Sequence, residues 1–223
     1  MLQMCVNGPI CEREGRADAG YSAARQAFAG WDGPGTRWPQ FLLGMQAVAA
    51  HLQARRPGRA SAVLDELERQ ARKERLGRFP LTRAKLLEWR ARIQLSLALG
   101  QPRKLPVRPR STGPLSGARR AINALDKLPT PLAGRAALPL RACLEEQLGD
   151  GKAAALTWAQ AVAVHTESGQ WLHSGLCEIR LAENRKASPR QVQKLMASLQ
   201  RRGVRTPGAL LQAWLPVPDH ESP

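Results

Sequence analysis

The sequence predicts an all-α fold built from antiparallel helical hairpins that stack one after another. Alanine, leucine and arginine dominate the composition, whereas the β-branched and aromatic residues that strands favour are scarce. Apolar residues recur at helical spacing along most of the chain, and strand-like alternation is nearly absent. Short corners separate the helical stretches, and short connections place neighbouring helices antiparallel.

The clearest hairpin lies between Leu138 and His165. Its first arm carries a leucine every fourth residue, and its second arm carries an alanine-rich stripe around Trp158. Gly149 suits the left-handed residue that follows a helix end, and Asp150 suits the N-cap of the next helix. The small alanine side chains let the two helix backbones approach closely.

The domain organisation follows from repeats of this pattern. Residues 1–37 are predicted to form a partial repeat and a joint, and residues 38–223 a helical-repeat domain. The first arms begin roughly 40 to 50 residues apart, which is the range of helix-pair repeats, and stacking neighbours completes each core. A compact bundle of eight or nine helices is the alternative. The predicted hairpins cover about 38–76, 80–128, 131–168 and 170–202, with a basic, proline-rich insert at 100–114 and a cap at 206–215.

Individual arms differ in how deeply we expect them to be buried. The arm over 60–71 has one apolar stripe and a charged far face, which indicates a surface helix. The arm over 81–99 has two adjacent apolar stripes, which indicate burial between two neighbours.

The ends of the repeat region carry two further signals. Ser188 and Gln191 match a capping box at the start of a helix. A helix from Ala17 to Gly30 looks like the second arm of a hairpin without its first arm, so we expect an exposed apolar face near the N-terminal end, around residues 1–45.

Two segments suggest a family. Gly149-Asp150 followed by Ala153-Ala154-Ala155-Leu156, and Gly58-Arg59-Ala60-Ser61-Ala62, resemble the start of the second helix in tetratricopeptide-like repeats. Segments 138–172, 174–184 and 195–216 resemble the C-terminal helical region of large bacterial serine/threonine protein kinases. This resemblance implies a degenerate tetratricopeptide-like α-α superhelix that acts as a bacterial protein–protein interaction or regulatory scaffold.

The chain departs from that family in ways that limit the inference. Most consensus glycine and tyrosine positions of a tetratricopeptide are absent, and the intervals exceed its roughly 34 residues. No kinase glycine-rich loop, catalytic loop or DFG motif occurs. Gly33-Pro34-Gly35 is a lone turn, and Gly151-Lys152 lacks the residues that flank a P-loop lysine. We therefore expect a non-catalytic protein without a cofactor, which is either part of a larger kinase polypeptide or a stand-alone descendant of one.

The formal net charge of +16 has two interpretations. In the first, the arginines lie on solvated helix faces and the charge has no binding role. In the second, the charge serves to bind a polyanionic partner. The expected partner is an acidic protein or peptide docked in a groove lined by first arms, and the alternative is RNA or DNA. The predicted basic surface comprises Arg83, Lys85, Arg90, Arg92, Arg103, Lys104, Arg108, Arg110, Arg119 and Arg120.

Three side chains near one corner have the chemistry of metal ligands. His173 and Cys177 are spaced i, i+4 on one helix, and His165 ends the preceding helix, so the three could converge on zinc. The competing interpretation places His165 and Cys177 in the interior and leaves His173 partly solvated. We favour the second interpretation, because one such pair without another is weak support for a metal site.

Three neighbouring carboxylates also admit a catalytic interpretation. Glu145, Glu146 and Asp150 could serve acid–base chemistry, but no nucleophile accompanies them. We expect them instead to face solvent and to balance Arg141.

The four cysteines form no CxxC pair, and Cys143 lies in an apolar helical pattern like a core residue. No charged-then-apolar leader opens the chain, and no apolar run approaches the ~20 residues that cross a bilayer. We therefore expect a cytoplasmic protein without a membrane partner.

The six tryptophans are expected to anchor packing between hairpins.

Overall fold

Helices make up most of the chain that the structure describes. The computed structural model describes residues 37–100 and 113–218 together with four positions between 19 and 26, of which Tyr21 packs against the core. No strand occurs in these residues, which confirms the all-α prediction for them. The predicted helix over 17–30, most of the expected N-terminal apolar face and most of the 100–114 insert lie outside the described residues.

Nine helices follow one another in the described ranges, and a 3₁₀ turn at Leu76–Arg78 precedes the third. Their bounds are α1 (Arg37–Gln53), α2 (Pro57–Lys73), α3 (Pro80–Leu99), α4 (Pro114–Asp126), α5 (Pro131–Gln147), α6 (Gly151–Glu167), α7 (Trp171–Asn184), α8 (Pro189–Arg201) and α9 (Pro207–Trp214).

Each helix from α1 to α9 packs against the next, and the odd-numbered helices α1, α3 and α5 also touch one another in order. These three helices therefore form one layer. Helix α3 is central, since it contacts α1, α2, α4, α5 and α9. Its buried residues lie on more than one side, which confirms the burial that its two apolar stripes predict. Helix α7 packs mainly on α6 and α8, and this leaves room between α7 and the odd-helix layer.

Local chemistry explains where the helices begin and end. Prolines occupy the first turn of α2, α3, α4, α5, α8 and α9, where a missing amide hydrogen is harmless. Gly149, Gly169 and Gly203 adopt positive φ angles of 86°, 69° and 96° after α5, α6 and α8. The Asp150 side chain accepts a hydrogen bond of 3.0 Å from the Ala153 amide. The predicted Gly149-Asp150 corner is thus confirmed.

The predicted capping box at the start of α8 is wrong. Ser188 occupies the N-cap position, but its side chain accepts no capping hydrogen bond. Its backbone carbonyl instead receives the amides of Gln191 at 2.8 Å and Val192 at 3.2 Å. Pro189 removes another donor from this turn, so little remains for the Ser188 hydroxyl to cap.

The C-terminal segment returns across the hairpins. Helix α9 contacts α1 and α3 as well as α8, and the residues from 210 to 217 are buried apart from half-buried Gln212. Nε and Nη2 of Arg180 donate to the Leu215 carbonyl at 3.0 and 2.7 Å. Nε2 of Gln147 donates to the Pro216 carbonyl at 2.7 Å. Side chains of α5 and α7 therefore hold an extended stretch of backbone.

None of the helices in the described ranges combines the length and the apolar character that a membrane span requires.

Candidate functional site

A cavity of about 380 Å³ lies between α3, α5, the α6–α7 corner and α9. This volume is within the range of small-molecule sites. Pro139 lines it from inside α5, where a proline removes the amide that would donate to the Arg135 carbonyl. The ionisable side chains that line the cavity, apart from Cys177, are Lys85, Glu88, Arg92, Arg135, His165 and His173.

Five planar side chains from four helices stack in a column beside this cavity. The ring centroids of His165 and His173 are 5.1 Å apart, and those of His173 and Trp214 are 4.8 Å apart. The Arg92 guanidinium carbon lies 4.9 Å from the Trp214 ring centroid and 4.7 Å from that of Trp89. Arg92 thus makes cation–π contacts with two indoles. Trp214 of α9 thus contacts Arg92 of α3 and His173 of α7.

A buried ion pair fixes the Arg92 end of the column. Nη2 of Arg92 donates to Oε1 of Glu88 at 2.5 Å, one turn earlier on α3, and Nζ of Lys85 donates to Oε2 at 3.0 Å. Burial raises the pKa of Glu88, but the charges of Arg92 and Lys85 outweigh burial and hold that pKa at about 2. Glu88 is therefore ionised at neutral pH.

The two histidines of the column are neutral at pH 7. Burial, together with the charges of the neighbouring His165 and Arg92, lowers the pKa of His173 to about 3. Burial also lowers the pKa of His165, against the effect of its hydrogen bond to Gln170. The distance from His165 Nδ1 to Gln170 Oε1 is 2.8 Å. Because that amide oxygen can only accept, Nδ1 carries the proton and Nε2 is an acceptor.

Several buried nitrogens at the cavity have no hydrogen-bond partner among the described residues. They are Nε and Nη1 of Arg92, Nε of Arg135 and Nε2 of His165. Arg92 is 4% exposed and His165 is 2% exposed, so bulk water does not compensate them. Buried polar atoms are paired in the great majority of native structures. These atoms therefore have hydrogen-bonding capacity that the described protein groups do not use.

The predicted metal-site residues do meet at this cavity, since His165, His173 and Cys177 all line it. Burial raises the pKa of the Cys177 thiol, and Glu178 raises it further, so the sulfur is protonated and a poor ligand or nucleophile. His165 and Cys177 are buried and His173 is half-buried. Within the described ranges, no three His, Cys, Asp or Glu side chains are grouped so that they could hold a metal ion.

The predicted basic groove residues on α3 do not share one surface. Arg83 and Lys85 are exposed. Nη2 of Arg90 lies 2.6 Å from Oδ1 of Asp65 and 2.9 Å from a Glu68 carboxylate oxygen, so this side chain faces α2. Arg92 lies in the interior. Arg90 therefore points toward α2, whereas Lys85 and Arg92 lie on the side of α3 that carries Glu88 and faces the cavity.

The remaining predicted basic residues divide between two parts of the chain. Arg119 and Arg120 are exposed on α4, and Nη1 of Arg120 donates to Ser116 Oγ at 3.1 Å. The insert cations lie outside the described residues; they are Arg103, Lys104, Arg108 and Arg110.

Of the three carboxylates expected to face solvent, Asp150 does, Glu145 is half-buried and Glu146 does not. Glu146 is buried and accepts a hydrogen bond of 3.1 Å from the Trp158 indole nitrogen. Asp150 is exposed and caps α6. Arg141 forms an ion pair with Asp126, across the α4–α5 corner, rather than with the acidic residues near the end of its own helix.

Four large apolar side chains remain exposed at the starts of α3, α5 and α7. Phe79 and Leu81 are each 60% exposed, Leu132 is 38% exposed and Trp171 is 41% exposed. Leu132 and Trp171 line the cavity, and so does Lys85, one turn after Leu81. Leu132 and Trp171 therefore lie together at the cavity, and Leu81 lies one turn from its wall on α3. We call the exposed side chains Phe79, Leu81, Leu132 and Trp171 the rim.

The sequence did not single out Glu88, Trp89, Arg135 or Trp214 as site residues. A local signal existed for the first, because Glu88 and Arg92 are spaced i, i+4 within the apolar stripes of α3. No local signal pairs Arg92 with Trp214.

No family model, no curated protein and no solved structure matches the chain. The basis for a function is consequently the geometry of the cavity and the rim.

Proposed function

We propose that this chain is a non-catalytic helical scaffold that binds an acidic, partly apolar segment of a partner protein at the rim. One observation carries the proposal. The described residues include six large apolar side chains that stay exposed, and four of them form the rim. Contiguous exposed apolar patches mark interaction sites more often than chance surface does. The other two, Leu148 and Leu156, lie on the α5–α6 hairpin away from the rim.

The charges beside the rim support an acidic partner. Lys85 and Arg135 lie at the cavity with Leu132. The Arg202 guanidinium carbon lies 5.4 Å from the Trp171 ring centroid. An apolar side chain of the partner would pack on the rim while its carboxylates face these cations. Complementary charge of this kind mainly speeds encounter and selects the partner.

The way the hairpins hold their own C-terminal segment further supports a peptide-binding role. Arg180 and Gln147 donate to backbone carbonyls of Leu215 and Pro216, which is how an extended peptide is held without regard to its side chains. In this proposal the hairpins stack in a tetratricopeptide-like array. The array serves as an interaction region like that of the bacterial kinases that the chain resembles.

Selection of random displayed peptides on the full-length chain tests the proposal. The expected consensus combines Asp or Glu with Leu, Phe or Trp, because these residues complement the cations and the rim. A consensus rich in Lys or Arg, or no enrichment at all, would contradict it. The same selection on Leu132→Ser/Trp171→Ser should fail, while selection on Leu148→Ser/Leu156→Ser should succeed.

A second candidate function is RNA or DNA binding, which the net charge of +16 and the exposed Arg119 and Arg120 favour. Binding to a random DNA duplex would weaken steeply with added salt, because phosphate contacts release counterions. Tight duplex binding that Arg119→Gln/Arg120→Gln abolishes, together with no peptide enrichment, would select this function over the first.

A further inference from the structure

We propose that the interior of the cavity binds a small organic carboxylate with a ring-sized apolar body. This site differs from the rim because it uses the buried Arg92 and the buried apolar wall of the cavity, although it shares Arg135 with the surface proposed to face the partner. It therefore goes beyond the proposed partner binding and does not depend on it.

The unpartnered arginine nitrogens indicate an acceptor ligand. Arg92 engages Glu88 through Nη2 alone, which leaves Nε and Nη1 without acceptors among the described residues. Nε of Arg135 likewise has no acceptor among the described residues. Arginine is always protonated, so each of these nitrogens is an N–H donor. A carboxylate supplies two acceptor oxygens, and hydrogen bonds to an ionised acceptor are the strong ones.

The charge balance of the cavity also favours an anion. Lys85, Arg92 and Arg135 contribute three positive charges, and Glu88 contributes one negative charge that is already paired. The two histidines add no charge at neutral pH, because burial lowers both of their pKa values. A cation would meet net repulsion in this space, whereas a monoanion would neutralise part of the excess.

The rest of the lining indicates an apolar body rather than a compact anion. Leu140, Leu172 and Leu176 are buried along the cavity, and Pro139 and Ala136 extend the same wall. A phosphate would satisfy the arginines but would leave this apolar wall without contacts. A carboxylate that carries a single ring would contact both the arginines and the apolar wall. Small-molecule sites usually combine an apolar lining with a few polar groups in this way.

Titration of the full-length chain with phenylacetate tests this inference. Phenylacetamide is the uncharged isostere, and inorganic phosphate is the compact anion. Phenylacetate should bind at least about tenfold more tightly than phenylacetamide, because the arginines form stronger hydrogen bonds with an ionised carboxylate than with a neutral amide. Binding should also shift the imidazole proton resonances of His165 and His173, which line the cavity.

Variants locate the site. Arg135→Gln should weaken phenylacetate binding about tenfold or more, and this half-buried residue is expected to be replaceable without unfolding. Arg92→Gln should weaken binding further if it folds. Arg83→Gln is the matched control on α3, since Arg83 is exposed and does not line the cavity, and it should bind like the wild type.

Three results would overturn the inference. The first is equal affinity for phenylacetate and phenylacetamide, or no binding of either at about 10 mM, which is weaker than useful affinities. The second is phosphate binding in place of phenylacetate. The third is the same loss of affinity in Arg83→Gln as in Arg135→Gln.

Discussion

Arg92 is held by three different interactions at once. The indoles of Trp89 and Trp214 cover its guanidinium, and Glu88 accepts a hydrogen bond from Nη2. Removing one partner of a buried ion pair leaves the other charge uncompensated, which costs more than the pair itself contributes. The stability of this site should therefore depend on both charges being present or both being absent.

Arg92→Met should lower the free energy of unfolding by about 3–5 kcal/mol, because the buried Glu88 carboxylate loses the Arg92 charge and keeps only its bond to the half-exposed Lys85. Glu88→Leu/Arg92→Met should recover a large part of that loss. Arg90→Met is the control on the same helix and should cost only about 1 kcal/mol or less, since its partners Asp65 and Glu68 both keep access to water. Urea denaturation measures all three. Equal losses for Arg92→Met and Arg90→Met would contradict the buried pair.

The column histidines predict acid sensitivity. His173 has a folded-state pKa of about 3 and an unfolded value near 6.5, so the unfolded chain binds more protons between these limits. Its stabilising contribution is present above pH 6.5 and is lost as the pH falls toward 3. Glu88 adds to the loss only below its unfolded value of 4.5, as the pH falls toward 2.

Between pH 6.5 and 4.5 the free energy of unfolding should therefore fall, by at most about 1.4 kcal/mol per pH unit from His173. His173→Gln should reduce this slope, because it removes the titrating group. His51→Gln, on α1 outside the column, should keep the loss that His173 causes. Denaturant titrations at both pH limits measure the slopes, and an unchanged slope in His173→Gln would show that this residue is not the source.

At the scale of elements, the corner between α5 and α6 is fixed by one side chain, whereas the start of α8 is not. Asp150→Ala should cost about 1 kcal/mol, because the Asp150 carboxylate accepts from the Ala153 amide. Ser188→Ala should cost less than about 0.5 kcal/mol, since the Ser188 side chain makes no capping bond. Thermal denaturation compares the two, and equal losses would argue against the capping geometry.

The sequence predicts such elements because their causes are local. Apolar spacing, a proline in the first turn and a glycine after the last turn act within a few residues. At the Gly149-Asp150 corner, Gly149 adopts the positive φ angle after α5 and Asp150 caps α6. The Ser188 capping box fails for an equally local reason, since its backbone carbonyl takes the amides that its hydroxyl would have capped.

The candidate site is much less predictable, because its contacts join distant parts of the chain. The stacking of Trp214 on Arg92 joins α9 to α3, and periodicity within either helix does not specify it. Arg92 therefore appears as a surface cation when α3 is considered alone. The pairing of Glu88 with Arg92 is local and could have been inferred from their spacing.

At the scale of the whole molecule, the C-terminal segment connects the end of the described chain to its beginning. Helix α9 touches α1, α3 and α8. Trp214→Ala should lower the free energy of unfolding by about 3–5 kcal/mol, because it removes a buried indole. Trp171→Ala should cost far less, since Trp171 is 41% exposed.

A synthetic peptide that copies residues 206–218 should raise the melting temperature of the Trp214→Ala chain by binding in place of the weakened segment. It should leave the wild type almost unchanged, because the tethered segment has a much higher effective concentration. A peptide with alanine at the position of Trp214 is the control. Equal stabilisation by both peptides would contradict specific docking of this segment.

Titration with a peptide obtained by selection tests whether the rim binds an acidic, apolar partner segment. Leu132→Ser/Trp171→Ser should lower the affinity for this peptide about 100-fold or more, as expected for central apolar anchors. Leu148→Ser/Leu156→Ser should bind the peptide like the wild type. Equal affinities for the two double variants would contradict binding at the rim.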